Sequence, residues 1–137
     1  MGLFDLLKRK SGGSALASQV SLTVLYVTGR DTLSAKNVIA LRDLISGAAP
    51  IDFVFLNPGS FEVFFPGTEE GKAKARQLNS ALRSLASRQN ISPFGVGVQI
   101  GPCLVAQDAR GRFTSPPIGE TISRAMRAAI QEARSAL

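Results

Sequence analysis

The sequence predicts an α+β domain built on a four-stranded antiparallel sheet, and three observations carry that prediction. Short runs rich in β-branched and aromatic residues alternate with two longer stretches of helical periodicity, in the order strand, helix, strand, strand, helix, strand. The two middle strands, Ile51 to Leu56 and Phe61 to Phe65, flank Asn57-Pro58-Gly59-Ser60. In that turn proline presets φ at the second position and glycine supplies positive φ at the third. At 137 residues, with 45% apolar and 19% charged side chains, the chain is long enough for one core of its own and too apolar to be disordered.

Taken in order, residues 1–17 read as an amphipathic block with a linker, and residues 18–137 as the folded domain. In Met1 to Lys10, at ~100° per residue, Leu3, Phe4, Leu6 and Leu7 fall within an arc of roughly 160°. Asp5, Lys8 and Arg9 lie opposite, and Lys10 can snorkel outward from the end of the block. A helix of this layout lies in a membrane interface with its basic end among anionic headgroups. The competing readings are a helix that docks on its own domain and a frayed tail. Ser11-Gly12-Gly13-Ser14 is a flexible linker.

Val20 to Val27 is a strand, continuously apolar from Val24 and therefore central. Ser34 caps a helix whose apolar face is Val38, Leu41, Leu44 and Ile45, and Gly47 stops it. After the central hairpin, Pro66-Gly67 ends the strand and Thr68 caps a helix from Glu69 to Ser87 carrying Ala75, Leu78, Ala81, Leu82 and Leu85. Phe94 to Ile100 is the fourth strand. This is the ferredoxin-like βαββαβ order, with two helices on one face of the sheet. Beyond it, Cys103 to Ala106 and Arg112 to Thr114 around Asp108-Ala109-Arg110-Gly111 predict an added hairpin. A last helix from Gly119 repeats Ile122, Ala125 or Met126, Ala129 or Ile130, Ala133 and Leu137 on one face.

Composition removes several chemistries. The chain has no histidine, so the commonest general base, the serine triads and the usual zinc ligands are missing together. The single cysteine, Cys103, has no internal disulfide partner and fits a reducing compartment. No run approaches the ~18 apolar residues of a membrane span. The net charge of +6 comes from scattered lysines and arginines without an aromatic stripe beside them, so nucleic acid is not an expected partner.

Two sets of motifs carry a family resemblance. Phe61-Glu62-Val63-Phe64-Phe65-Pro66-Gly67-Thr68 resembles the strand that follows the GGDEF signature of diguanylate cyclases, with Asn57-Pro58-Gly59-Ser60-Phe61 in the place of the signature. Gly97-Val98-Gln99-Ile100-Gly101-Pro102 and Ile118-Gly119-Glu120-Thr121-Ile122-Ser123-Arg124-Ala125-Met126-Arg127 resemble the corresponding strand and helix start of class III adenylyl and guanylyl cyclases. The resemblance spans residues 20–137 and implies a nucleotidyl cyclase-like fold, a bacterial cytoplasmic protein and a homodimer.

It also implies what should be present for catalysis: two divalent metals held by carboxylates at the end of the first strand and in the central hairpin, to neutralise the triphosphate and activate the ribose hydroxyl. Here those positions hold Thr28 and Gly59-Ser60, which supply no anionic oxygen. Asp31 comes three residues late, Glu62 lies beyond the turn, and Ser123 replaces the asparagine of the class III helix. An inhibitory cyclic di-GMP site would need Arg and Asp where Ala48 and Ile51 stand. The expectation is a pseudo-cyclase with no catalytic residue, no bound metal and no cofactor. It would act as an interaction or signalling module that self-associates, meets a protein partner the sequence does not identify, and is recruited to the inner membrane face by Leu3, Phe4, Leu6, Leu7, Lys8, Arg9 and Lys10. Two alternatives are weighed beside it. One is a nucleotide-binding sensor without turnover, using Thr28, Gly29, Arg30, Gly59, Ser60 and Arg127 against phosphates. The other is an active cyclase with Asp31 and Glu62 as substitute ligands.

Overall fold

The structure, a computed structural model, describes residues 16–29, 33–56 and 59–135. Its elements are β1 (Leu16–Gly29), α1 (Ala35–Gly47), β2 (Asp52–Leu56), β3 (Ser60–Pro66), α2 (Glu69–Arg88), β4 (Phe94–Gln107) and α3 (Glu120–Ser135). The strands form one antiparallel sheet in the order β2-β3-β1-β4. This is the expected α+β fold. β1 is central, pairing with β3 through Leu22–Thr28 and with β4 along its whole length.

Alternation along the strands builds two cores, one on each face. Leu25 and Val27 of β1 with Phe61, Val63 and Phe65 of β3 point toward α1 and α2, where Leu41, Ile45, Leu78 and Leu82 meet them. Leu22, Val24, Tyr26 and Phe64 point the other way, beneath Ile122, Ala125 and Ala129 of α3. The apolar periodicity expected for the last helix is therefore buried against the second sheet face. Both predicted helix caps are present. The Ser34 hydroxyl accepts from the Asn37 N–H at 3.2 Å, and the Thr68 hydroxyl accepts from the Gly71 N–H at 3.1 Å.

Three boundaries differ from the sequence reading. β1 starts at Leu16 rather than Val20, because β4 runs on to Gln107 and gives Leu16–Gln19 a partner strand. Gly47 is the last helical residue rather than the stop, and the positive φ after α1 falls on Ala49. The added hairpin is only half a hairpin: Cys103–Ala106 belong to β4, and the returning chain touches it through two isolated bridges, Gln107 with Phe113 and Leu104 with Ile118. Pro116 and Pro117 lie between those bridges and have no N–H to donate, so no ladder forms.

At the edge of the sheet the Val96 N–H donates to Glu132 Oε1 of α3 at 2.8 Å, and Arg83 of α2 reaches the same oxygen at 3.0 Å. One carboxylate thus ties both helical layers across the β4 edge and blocks strand addition there. Burial pushes the Glu132 carboxyl up, but the Arg83 guanidinium and the Val96 N–H outweigh it and hold the group below the usual carboxylate range.

Candidate functional site

The residues expected to bear on nucleotide chemistry gather where β1 ends and β3 begins. Thr28 and Ser60 face each other in register, on the same face as Tyr26 and Glu62 one cross-strand pair further along. The Ser60 hydroxyl donates to Thr28 Oγ1 at 2.8 Å, and the Thr28 hydroxyl donates to the Gly29 carbonyl at 3.1 Å. The Gly29 N–H in turn donates to the Gly59 carbonyl at 3.1 Å. Thr28 is 7% exposed. The hydroxyl protons and the Gly29 N–H at this strand end are thus directed into the protein itself.

The space above the turn is filled as well. A Cβ placed on Gly59 would stand 2.9 Å from Leu33 Cγ, so glycine here lets the Leu33 side chain close down on the hairpin. Leu33 packs against the α1/α2 core, and sequence reading gave it no role, because a lone leucine between two polar residues carries no periodic signal. Beside it, Gly29, Leu33, Ser34, Asn37 and residues 90–93 line a small cleft of about 140 Å³. Among the described residues that line it, none carries a charge.

Glu62 is the carboxylate closest to this arrangement in the register. It is half-buried opposite Tyr26, and burial pushes its carboxyl above the usual range. Arg127 stands apart from the strand-end residues. Its guanidinium donates to Glu120, two turns back along α3, and Arg124 approaches the same carboxylate at 3.9 Å. The structure therefore brings Thr28, Gly29, Gly59 and Ser60 together and leaves Arg127 on the exposed side of its helix. Arg30 and Asp31 lie outside the described residues, as do Asn57, Pro58, Leu137 and the whole block Leu3 to Lys10.

As a donor set for two divalent cations, the described residues do not fit. Two neutral hydroxyls bonded to each other stand in place of paired anionic oxygens. Among the described residues no three Asp, Glu, Cys or His side chains come together elsewhere.

The sequence matches no protein-family model, and no curated protein matches it. Solved structures do match. The guanylyl cyclase Cya2 superposes with a TM-score of 0.57 at 14% identity, over 84% of this chain and 72% of that one. A bacterial light-regulated adenylyl cyclase gives 0.60 at 14% identity, over 83% and 71%. The non-canonical dimeric guanylyl cyclase domain of a RhoGC fusion protein from the aquatic fungus Blastocladiella emersonii gives 0.54 at 15% identity, over 83% and 76%. This chain has the nucleotidyl cyclase fold. The class III resemblance read from Gly97–Pro102 and Ile118–Arg127 thus agrees with the folded domain as a whole.

Proposed function

We propose that this cyclase-like domain is a non-catalytic signalling module that self-associates and is brought to an anionic membrane surface by residues 1–10. The observation that carries the non-catalytic reading is the Thr28–Ser60 hydrogen bond, with Leu33 closed over Gly59. Metal-assisted attack on a triphosphate needs anionic ligands with free lone pairs facing the substrate. At this strand end the groups are neutral and already hydrogen-bonded to one another or to the backbone. Self-association is supported by the dimeric state named for one structural neighbour. Recruitment is supported by the apolar arc of Leu3, Phe4, Leu6 and Leu7 with Lys8, Arg9 and Lys10 beside it. The sensor alternative has less to stand on, since the hydroxyls and the Gly29 N–H that would greet a phosphate are already bonded within the fold.

Two measurements test this reading. Purified protein incubated with ATP or GTP and Mn²⁺ should release no cyclic nucleotide; turnover that disappears in Glu62→Gln would overturn the non-catalytic assignment. The full chain should cofloat with vesicles rich in phosphatidylglycerol, and Phe4→Glu should reduce the bound fraction at least tenfold. Failure of the full chain to cofloat at low salt would remove the recruitment reading and leave the other standing.

A further inference from the structure

Below Leu22, β1 and β4 continue without β3, whose register ends with Pro66 opposite Leu22. This lower stretch is a two-stranded ribbon with unlike sides. Val20, Leu22, Cys103 and Val105 join the core beneath α3. The opposite, outer side begins at Ile100, which is 48% exposed, and continues through Pro102 and Leu104. Ile118 extends it sideways, bonded to Leu104 by two backbone hydrogen bonds of 2.8 and 3.0 Å, and at 61% it is the most exposed large apolar side chain of the described residues. Between Leu104, Ile118 and the first turn of α3 lies a hollow of about 430 Å³. No described element packs over this side.

We infer that the apolar side of residues 3–7 docks on this outer face, and that a membrane must compete for it. The argument starts from where the chain leaves the fold. Residues 1–15 precede Leu16, which sits at the free end of this ribbon, and Gln19, three residues on, already lines the hollow. Residues 8–15 span up to about 25 Å when extended, so Leu3, Phe4, Leu6 and Leu7 reach Leu104 and Ile118 without strain. A tether of that length holds the block at an effective concentration in the millimolar range, so a contact with only millimolar intrinsic affinity is about half formed. The same four side chains cannot face the ribbon and a lipid surface together. The competition therefore rests on the membrane reading above, while the docking itself does not.

The test uses the full chain and isoleucine methyl NMR. Ile100 and Ile118 methyl resonances should differ between the full chain and Phe4→Glu, while Ile39, exposed on α1, keeps its position. Identical Ile100 and Ile118 positions in the two proteins overturn the docking. A difference that grows with protein concentration overturns it too, because the occupant is then a second copy. In flotation with phosphatidylglycerol vesicles, Ile118→Glu should raise the affinity of the full chain about two- to tenfold, the factor expected when a competing site is removed. Unchanged or weakened flotation overturns the competition, a weakened one placing the ribbon face itself on the lipid. Should the full chain not float while the methyl difference persists, the membrane reading falls and the intramolecular docking remains.

Discussion

On one face of the sheet, Phe61, Val63 and Phe65 meet Leu78, Leu82 and Leu85 of α2 through interdigitated bulk. On the other, α3 lies so close to β4 that the strand presents Gly95 and Gly97, and a Cβ at either would run into the carbonyl oxygens of Ala129 and Ala125. The difference is one of tolerance. A core of large side chains can relax around a lost methyl group, at a cost set by the residual cavity. Backbone against backbone has no flexible side chain to yield, so the α3 face accepts almost no added volume. The Thr28–Ser60 pair lies at the end of β1 and β3, in the sheet that separates these two layers.

The comparison is broken most directly by Gly97→Val. It should cost about 4 kcal/mol or more, at the upper end for point substitutions, by forcing α3 off the sheet. Leu82→Ala on the opposite face should cost about 3 kcal/mol as a cavity mutation. Urea midpoints of the two variants decide the matter, and a milder Gly97→Val would mean that α3 is the adaptable layer.

Glu132→Ala should cost about 2 kcal/mol by stranding the Val96 N–H and freeing Arg83. Because the folded carboxyl is held below its ordinary value, the stabilisation is complete above the unfolded value of about 4.3. It disappears as pH falls through the lower folded value. Denaturation of wild type and Glu132→Gln should therefore converge in strong acid.

The smallest effect is expected at Glu62, and its sign is opposite. Burial raises its folded pKa, so the folded state binds the proton more tightly and stability falls as pH rises through the interval above the unfolded value. Glu62→Gln should be slightly more stable than wild type near neutral pH. That gain should vanish in acid, as read from melting temperatures at the two pH values.

Much of this fold was legible because it is local. Ser34 and Thr68 mark helix starts through a single side-chain oxygen each, and both caps form as expected. The alternation of Phe61, Val63 and Phe65 with Ser60, Glu62 and Phe64 assigns each to a face before any partner is known. The added hairpin was only partly legible: Asp108 to Gly111 makes the expected turn, with the Asp108 carboxylate accepting from the Arg110 and Arg112 N–H groups, and Phe113 bridges back to Gln107. A turn, however, does not guarantee a returning strand.

By itself, the sequence determined the order of elements, their capped ends and the neutral chemistry of Thr28 and Ser60, since each follows from residue type or short spacing. Only the tertiary structure decided which sheet face α3 would cover, that Leu33 would close on Gly59, and that Glu132 would bridge Val96 and Arg83. Those contacts join residues 26 or more positions apart. Their geometry is fixed by how closely whole layers approach, a quantity set by the side chains of both layers together and by no local pattern in either.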